Sequence, residues 1–456
     1  MPRYHVKITG KDYDAMADLV RKYRINVARH TVKKVKGGYS VHAHATGTQL
    51  RQIEARGMIV KRLENADKEG KTRQKEVSKA AKKVPLEALA VTASAHYLNV
   101  IEVETALAGV AAAPNTTFTK LIKLPNKTWE NRISNALKIG KGAGAERLAI
   151  YFLGGVHARE WGSADILINF AQRLTQAYAA NSGITIGSQT FSASQIKKVV
   201  ETKDVYVFPQ CNPDGRNFSM TSDAMWRKNR RPAPAGHTQK SCVGVDINRN
   251  YDFLWNFPTY FDPTSPIANS TDPCDYQVYI GPKAFSEPET KNAAWLFDQF
   301  PGIRYFIDVH SYGEDILYNW GDDENQASNP SMNFQNAAFN GKRGIAGDTA
   351  YKEFLAPADK TLAVGLANKM ATAIKAVRGR VYKVEQSMTL YPTAGTSDDY
   401  AFGRHLIDAK KAKVYSYTIE WGKETNPTPF HPPFSEMAKI IQEVTAGLIA
   451  FCISAT

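Results

Sequence analysis

Cysteine is scarce in this chain. Four residues in 456 (Cys211, Cys242, Cys274 and Cys452) are too few to scaffold a fold on disulfides, and no two stand in a C-x-x-C pair. No run approaches the roughly 18 consecutive apolar residues that a membrane-spanning helix needs, so no membrane partner is expected. The first residues, MPRYHVKITGKDYDAM, hold no apolar segment of roughly 7–15 residues and do not read as a secretory leader. Internal repeats are missing, and the only biased tract is the lysine-rich ADKEGKTRQKEVSKAAKKV at 66–84. No nucleic-acid-binding motif is present, so no nucleic-acid partner is expected.

Acidic residues are also short of balance, but only at one end. Residues 1–84 carry 21 Lys and Arg against 8 Asp and Glu, and the rest carry 37 against 36, so the net charge of +14 belongs to the N-terminal segment. A solvated or partner-covering face is the plain reading of such charge, with a module that binds nucleic acid or another anionic polymer as the alternative from a different class. At 43% hydrophobic and 11% aromatic, the chain can build one large core and a small one.

The first 65 residues alternate in a βαββαβ order, compatible with a small α+β ferredoxin-like domain. Residues 66–96 then read as a lysine-rich linker or exposed helix, open to a trypsin-like protease. Over 97–456, strands are predicted at 118–124, 131–139, 147–154, 204–210, 303–310, 316–320, 380–386 and 413–419. Helices are predicted at 163–179, 286–299, 360–377, 398–408 and 435–452. Such alternation predicts an α/β domain with a mixed central sheet and helices on both faces. Residues 322–350, polar and rich in Asn, read as a long surface loop. Cys452 falls in a helical apolar pattern and reads as core, and Cys211, beside a turn, as buried and reduced.

The run RLAIYFL (147–153) is followed by GGVHAREW (154–161), which sets His157 and Glu160 three apart. Imidazole and carboxylate are zinc ligands, and catalytic zinc sites keep three protein ligands and one open position. The spacing alone is weak, because 44 acidic residues and 10 histidines make one chance match expected, and His405 with Asp408 supplies it in a charged stretch. Position separates the two pairs. His157 follows a strand and precedes a helix, where open α/β sheets bind ligands. Two more strands, IRYFIDV and KVYSYTI, run to His310 and to Glu420. A core histidine explains one such residue and leaves the convergence of three strand ends unexplained.

Seven segments complete the pattern: GGVHAREW, NPDG (212–215), MWRKNR (225–230), CVGVDINRNYD (242–252), DVHSY (308–312), LYPTAGTSDDY (390–400) and YTIEW (417–421). In order and approximate spacing they resemble zinc metallocarboxypeptidases of the carboxypeptidase A/B type, over roughly 97–456. The resemblance implies one Zn2+ per chain on His157, Glu160 and His310, with Glu420 as general base and Arg227 stabilising the oxyanion. It implies that Asn248 and Arg249 hold the substrate's terminal carboxylate and that Tyr391 closes over it. Arg159 and Tyr312 are implied at the substrate site, and Asp246 behind the first zinc histidine.

The family position that sets preference for the terminal side chain falls on Asp398, which implies a carboxypeptidase B-like pocket for Lys or Arg. Gly321 and Thr418, at other pocket positions, do not decide the matter. The expected partners are peptide or protein C-termini, and the expected state is a monomer. Apolar C-terminal residues and bacterial cell-wall peptides are the alternative substrates. The resemblance also implies a Cys242–Cys274 disulfide, hence a secreted or periplasmic location. The stretch after Glu420 and the 322–350 loop differ from the animal digestive enzymes and suggest a microbial branch. Secreted relatives carry a ferredoxin-like pro-segment, which makes residues 1–84 a candidate inhibitory one.

Overall fold

The computed structural model describes residues 2–79, 96–144, 146–388, 391–423 and 429–456. Two sheets, each over its own core, organise them. The larger has eight strands in the spatial order Lys383–Gln386, Asp315–Tyr318, Tyr415–Trp421, Ile303–Ser311, Ala149–Gly154, Asp204–Phe208, Asn135–Ile139 and Thr119–Lys123. The four central strands, Tyr415–Trp421 to Asp204–Phe208, run parallel, and antiparallel neighbours flank them on both sides. All six residues of Ala149–Gly154 are buried, which is why that strand reads as an unbroken apolar run.

Successive side chains of a strand leave on opposite faces. Tyr151 meets Phe297 of the helix Pro288–Gln299, with ring centroids 5.1 Å apart. Its neighbour Phe152 meets Phe170 of the helix Gly162–Ala179 at 5.0 Å. Helices therefore cover both faces of a mixed sheet, as the alternation predicts. The helix Phe434–Ser454 is long and apolar enough to cross a membrane by length and composition, yet 67% of its most apolar stretch is buried inside the protein. Phe451 on this helix packs edge-on against Tyr305 and Tyr417 of the sheet, so it is a core helix. Cys452 on the same helix and Cys211 are buried and unbonded.

The smaller sheet is antiparallel, in the order Asn26–Val35, Gly38–Thr46, Arg3–Gly10, Ile59–Asn65, with helices Tyr13–Arg21 and Gly47–Glu54. Val6, Ile8, Met16, Leu19, Val41, Leu50 and Ile53 form its fully buried core. The Asp12 side chain caps the first helix, and Thr46 with Gln49 closes a capping box on the second.

Of the two readings of residues 66–79, linker or exposed helix, the structure shows the helix, with one side docked. Ala66–Gln74 is a helix docked on the large unit: Arg3 pairs with both Asp67 and Asp223, and Gln74 Nε2 donates to the Ser219 carbonyl at 2.9 Å. Ala66 is buried beside Met225, Tyr312 and Phe430. A docked helix with a wide polar face has the same composition as a solvated tether, and composition alone does not separate them. The remainder of the expected linker, residues 80–95, lies outside the described residues. The stretch 322–350 is mostly irregular, but it folds around Arg343, which is fully buried, lies over the Tyr351 ring at 4.6 Å and donates to the carbonyls of Phe334 and Asn336.

Candidate metal centre and substrate pocket

The centre forms where parallel strands end. Ala149–Gly154 runs into Gly155, whose φ is +64° and whose absent Cβ would sit 3.0 Å from the Pro209 carbonyl oxygen and from Gln210 Cα. Only glycine fits that turn without strain. The turn throws His157 and Glu160 onto the sheet's carboxyl edge before the helix Gly162–Ala179 begins. On the next two strands, His310 and Glu420 stand directly opposite each other in register.

His157 Nδ1 lies 2.8 Å from Glu160 Oε1 and 3.0 Å from His310 Nδ1, and His310 Nδ1 lies 3.0 Å from Glu160 Oε2. All three residues are buried. Each imidazole turns its other nitrogen to a carboxylate, Nε2 of His157 to Asp246 at 3.3 Å and Nε2 of His310 to Asp308 at 2.9 Å. A proton held on the Nε2 side leaves both Nδ1 atoms as lone-pair donors facing one carboxylate. Three donors converging at these distances, with no proton to share between the two nitrogens, fit a bound cation. Two imidazoles and one carboxylate are a donor set of zinc.

The charges agree. Burial alone would raise the Glu160 carboxyl, but the two imidazoles outweigh it and hold the group well below the usual carboxylate range. Burial, together with Arg227, lowers His157. Burial also works against the charged form of His310, yet Asp308 and Glu160 overcome it and raise that group well above its ordinary value. The carboxylates thus draw positive charge into the centre, a demand a divalent ion satisfies.

A single pocket surrounds the trio. Arg227, Asn248, Arg249, Tyr391, Asp398, Arg159, Tyr312 and Glu420 all line it. Arg227 is tied to Asp246 through Nε (3.0 Å) and Nη2 (2.9 Å), so Asp246 serves His157 and Arg227 at once. Burial would raise the Asp246 carboxyl, but Arg227 and His157 hold it far down. The Ala268 carbonyl accepts from Arg249 Nε (2.7 Å) and the Asn248 carbonyl from Nη1 (2.6 Å), while Asn248 Oδ1 accepts from the Ser397 amide. Burial, helped by Arg227, lowers Arg159 to about 10, and its guanidinium sits 4.0 Å over the Phe430 ring. Of the adjacent pair Asp398 and Asp399, only Asp398 lines the pocket, with its Oδ2 3.1 Å from Thr418 Oγ1 and 3.3 Å from Ser387 Oγ. Asp399 turns away to Asn319 Nδ2 and the Gly321 amide.

The N-terminal unit lies across this pocket. Asn26, Val27 and Ala28 are part of its lining, and Tyr391 Oη lies 3.5 Å from the Val27 carbonyl oxygen. His44, only 6% exposed, stacks on His5 (4.9 Å) and inserts between Tyr312 (6.0 Å, edge-on) and Phe430 (5.1 Å).

A sequence profile described as zinc carboxypeptidase matches residues 105–447. The chain belongs to the zinc carboxypeptidase family. Among its relatives, carboxypeptidase B of Astacus astacus is 28% identical over 323 residues, covering 70% of this chain and 85% of that protein. Carboxypeptidase B of Homo sapiens is 28% identical, covering 69% and 61%. Metallocarboxypeptidase A of Trichophyton tonsurans is 30% identical, covering 71% and 63%. The chain thus spans less than two thirds of the human and fungal relatives. Among solved structures, thrombin activatable fibrinolysis inhibitor superposes with a TM-score of 0.69 at 19% identity over 100% of both chains. Carboxypeptidase A from Helicoverpa armigera does so with 0.70 at 19% over 99% and 98%. At that identity the likeness is one of fold, and it extends through the N-terminal unit.

Residues that motif reading passes over also surround the trio and its pocket. Asp308, behind His310, stands two residues before it in DVHSY, and a period of two places both side chains on one face of the strand. Asp315, which also lines the pocket, starts the strand paired antiparallel to Tyr415–Trp421, opposite Glu420. Ser387 and Phe430 carry no signal of their own in the sequence.

Proposed function

We propose that the chain is a zinc-dependent exopeptidase that removes the C-terminal residue of peptides and proteins, prefers Lys or Arg there, and is held latent by its N-terminal unit. The observation that carries this reading is one pocket holding the His157–Glu160–His310 trio, the Glu420 carboxylate and three arginines. Zinc held by the trio supplies a Lewis acid that activates water near neutral pH.

Glu420 accepts the proton of the attacking water and passes it to the leaving amine. Arg227, fixed by Asp246, stabilises the carbonyl oxygen as it becomes negative. Arg249, braced by two backbone carbonyls, binds the terminal carboxylate together with Asn248, and Tyr391 closes over it. Arg159 and Tyr312 line the approach for the rest of the peptide. Asp398 pairs with a basic side chain and is left unpaired by Phe or Leu, and the penalty for that buried charge discriminates. Asp315, a second carboxylate in the pocket, supports the same preference. The disulfide supports maturation in an oxidising compartment.

The test is a panel of matched peptides ending in Arg, Lys, Phe and Leu, run with and without a zinc chelator on chain freed of its N-terminal unit. Arg and Lys are expected to leave fastest, with activity lost to the chelator and restored by zinc. Faster release of Phe or Leu removes the basic preference, and unaffected cleavage without metal removes the whole reading.

Latency carries a pH prediction. Burial pushes His44 well below its ordinary value, with His5, Arg159, His431 and Arg3 adding repulsion. Burial and His42 lower His5 to about 4, and burial, with repulsion from Arg159, lowers His431 to about 3. The carboxylates at this contact, Asp67 and Asp223, are engaged by Arg3. A histidine neutral when docked and free to protonate at about 6.5 when released stabilises docking above that pH and loses it as pH falls, by about tenfold per unit for each such group. Hydrogen exchange, corrected for intrinsic rate, is expected to show Asn26–Ala28 losing protection between about pH 7 and pH 5, and H44F is expected to flatten that loss. Protection that does not change over the window counts against the contact.

A further inference from the structure

The loop joining the oxyanion arginine's segment to the pocket rim holds a second convergence of metal-binding atoms, which the function above does not use. His237 Nδ1 lies 3.2 Å from Cys274 Sγ and 3.8 Å from Cys242 Sγ, and one donor atom from each of the three residues falls within 4.8 Å of the others. The two sulfurs are bonded to each other. Their closeness does not depend on that bond alone. Lys228 Nζ donates to the carbonyls of Ser241 (2.8 Å) and Asp275 (2.6 Å), the residues flanking each cysteine, and so clamps the two arms together from inside. The Cys274 amide is held by Asp272 Oδ1 at 2.8 Å and the Cys242 amide by the Gln239 carbonyl at 3.0 Å. Cys242 is buried and His237 is exposed, so the group has a dry floor and an open mouth.

We propose that His237, Cys242 and Cys274 form a second metal site, which takes a zinc-class divalent ion when the disulfide is reduced. Reduction by a phosphine breaks the S–S bond with two electrons from phosphorus. The phosphorus takes the oxygen of a water molecule, and that water's two protons go to the two sulfurs. The ion then binds both sulfurs and His237 Nδ1, releasing the two thiol protons to solvent, and leaves a fourth position to water. Two thiolates and an imidazole suit zinc better than harder cations. The loop between residues 242 and 274 is thereby closed in either redox environment, by a covalent bond in one and by a cation in the other.

The zinc-loaded enzyme, with its disulfide intact or reduced and cleared of phosphine under argon, is titrated with Co2+. The catalytic centre offers no sulfur, and the buried thiols Cys211 and Cys452 are present in the oxidised control too, so a thiolate-to-cobalt charge-transfer band that appears only on reduction reports the second site. The reduced protein is expected to develop that band with one added equivalent of metal, and the oxidised protein is expected to show none. H237A, checked for folding by its peptidase activity in the oxidised state, is expected to bind the added equivalent at least about tenfold more weakly after reduction. No band in the reduced protein overturns the proposal. So does an H237A variant that binds as tightly as the parent, which would leave the thiols acting without the imidazole.

Discussion

Glu420→Gln is expected to lower kcat by about 10²- to 10⁴-fold, the usual span of general acid–base catalysis, with KM and zinc content little changed. The amide keeps the shape and the strand register opposite His310 but cannot take a proton from water. A change confined to kcat separates loss of a group acting in the transition state from loss of substrate binding. Steady-state kinetics with metal analysis of the same sample checks it. A variant within threefold of the parent would assign proton transfer elsewhere in the pocket, where Asp315 is the next carboxylate.

Asp398→Leu should invert the preference for the terminal side chain. Truncating one member of a buried charge pair costs about 2–5 kcal/mol, so kcat/KM for a C-terminal Arg substrate is expected to fall roughly 30- to 5000-fold. Release of Leu or Phe should hold or rise, because no unpaired carboxylate is then left against an apolar side chain. Thr418 and Ser387 remain to line the pocket and the Asp399 side chain keeps Asn319 and the Gly321 amide, while the Asp399 amide and the two hydroxyls lose the Asp398 carboxylate as acceptor. Equal losses on all four peptides would point to damage rather than selectivity.

The regular elements were largely legible because each carried a local signal. All eight strands predicted in the large unit are present, and the βαββαβ order of the N-terminal unit holds. Of the helices passed over, Val100–Val110, Ala193–Thr202 and Pro213–Thr221 had caps in plain view, while the single turn Phe257–Tyr260 has none. Asn99 with Glu102 and Ser192 with Gln195 close capping boxes, and Asn212 caps a helix with Pro at its first position. The strand ends that bring His157, His310 and Glu420 together were legible for the same reason. What was not legible comes from tertiary contact. Nothing local shows that Asn26–Ala28 would lie in the pocket, that His44 would wedge between Tyr312 and Phe430, or that the helix after residue 65 would dock. These depend on two surfaces meeting across long sequence separations, which periodicity and composition do not encode.

Asp246 touches His157 with one oxygen and Arg227 with the other. In the proposed mechanism, the spacing between the zinc trio and the guanidinium that receives the developing charge is therefore set by the width of a single carboxylate. The two cannot drift apart independently, and a fault in that one side chain loosens metal grip and turnover together.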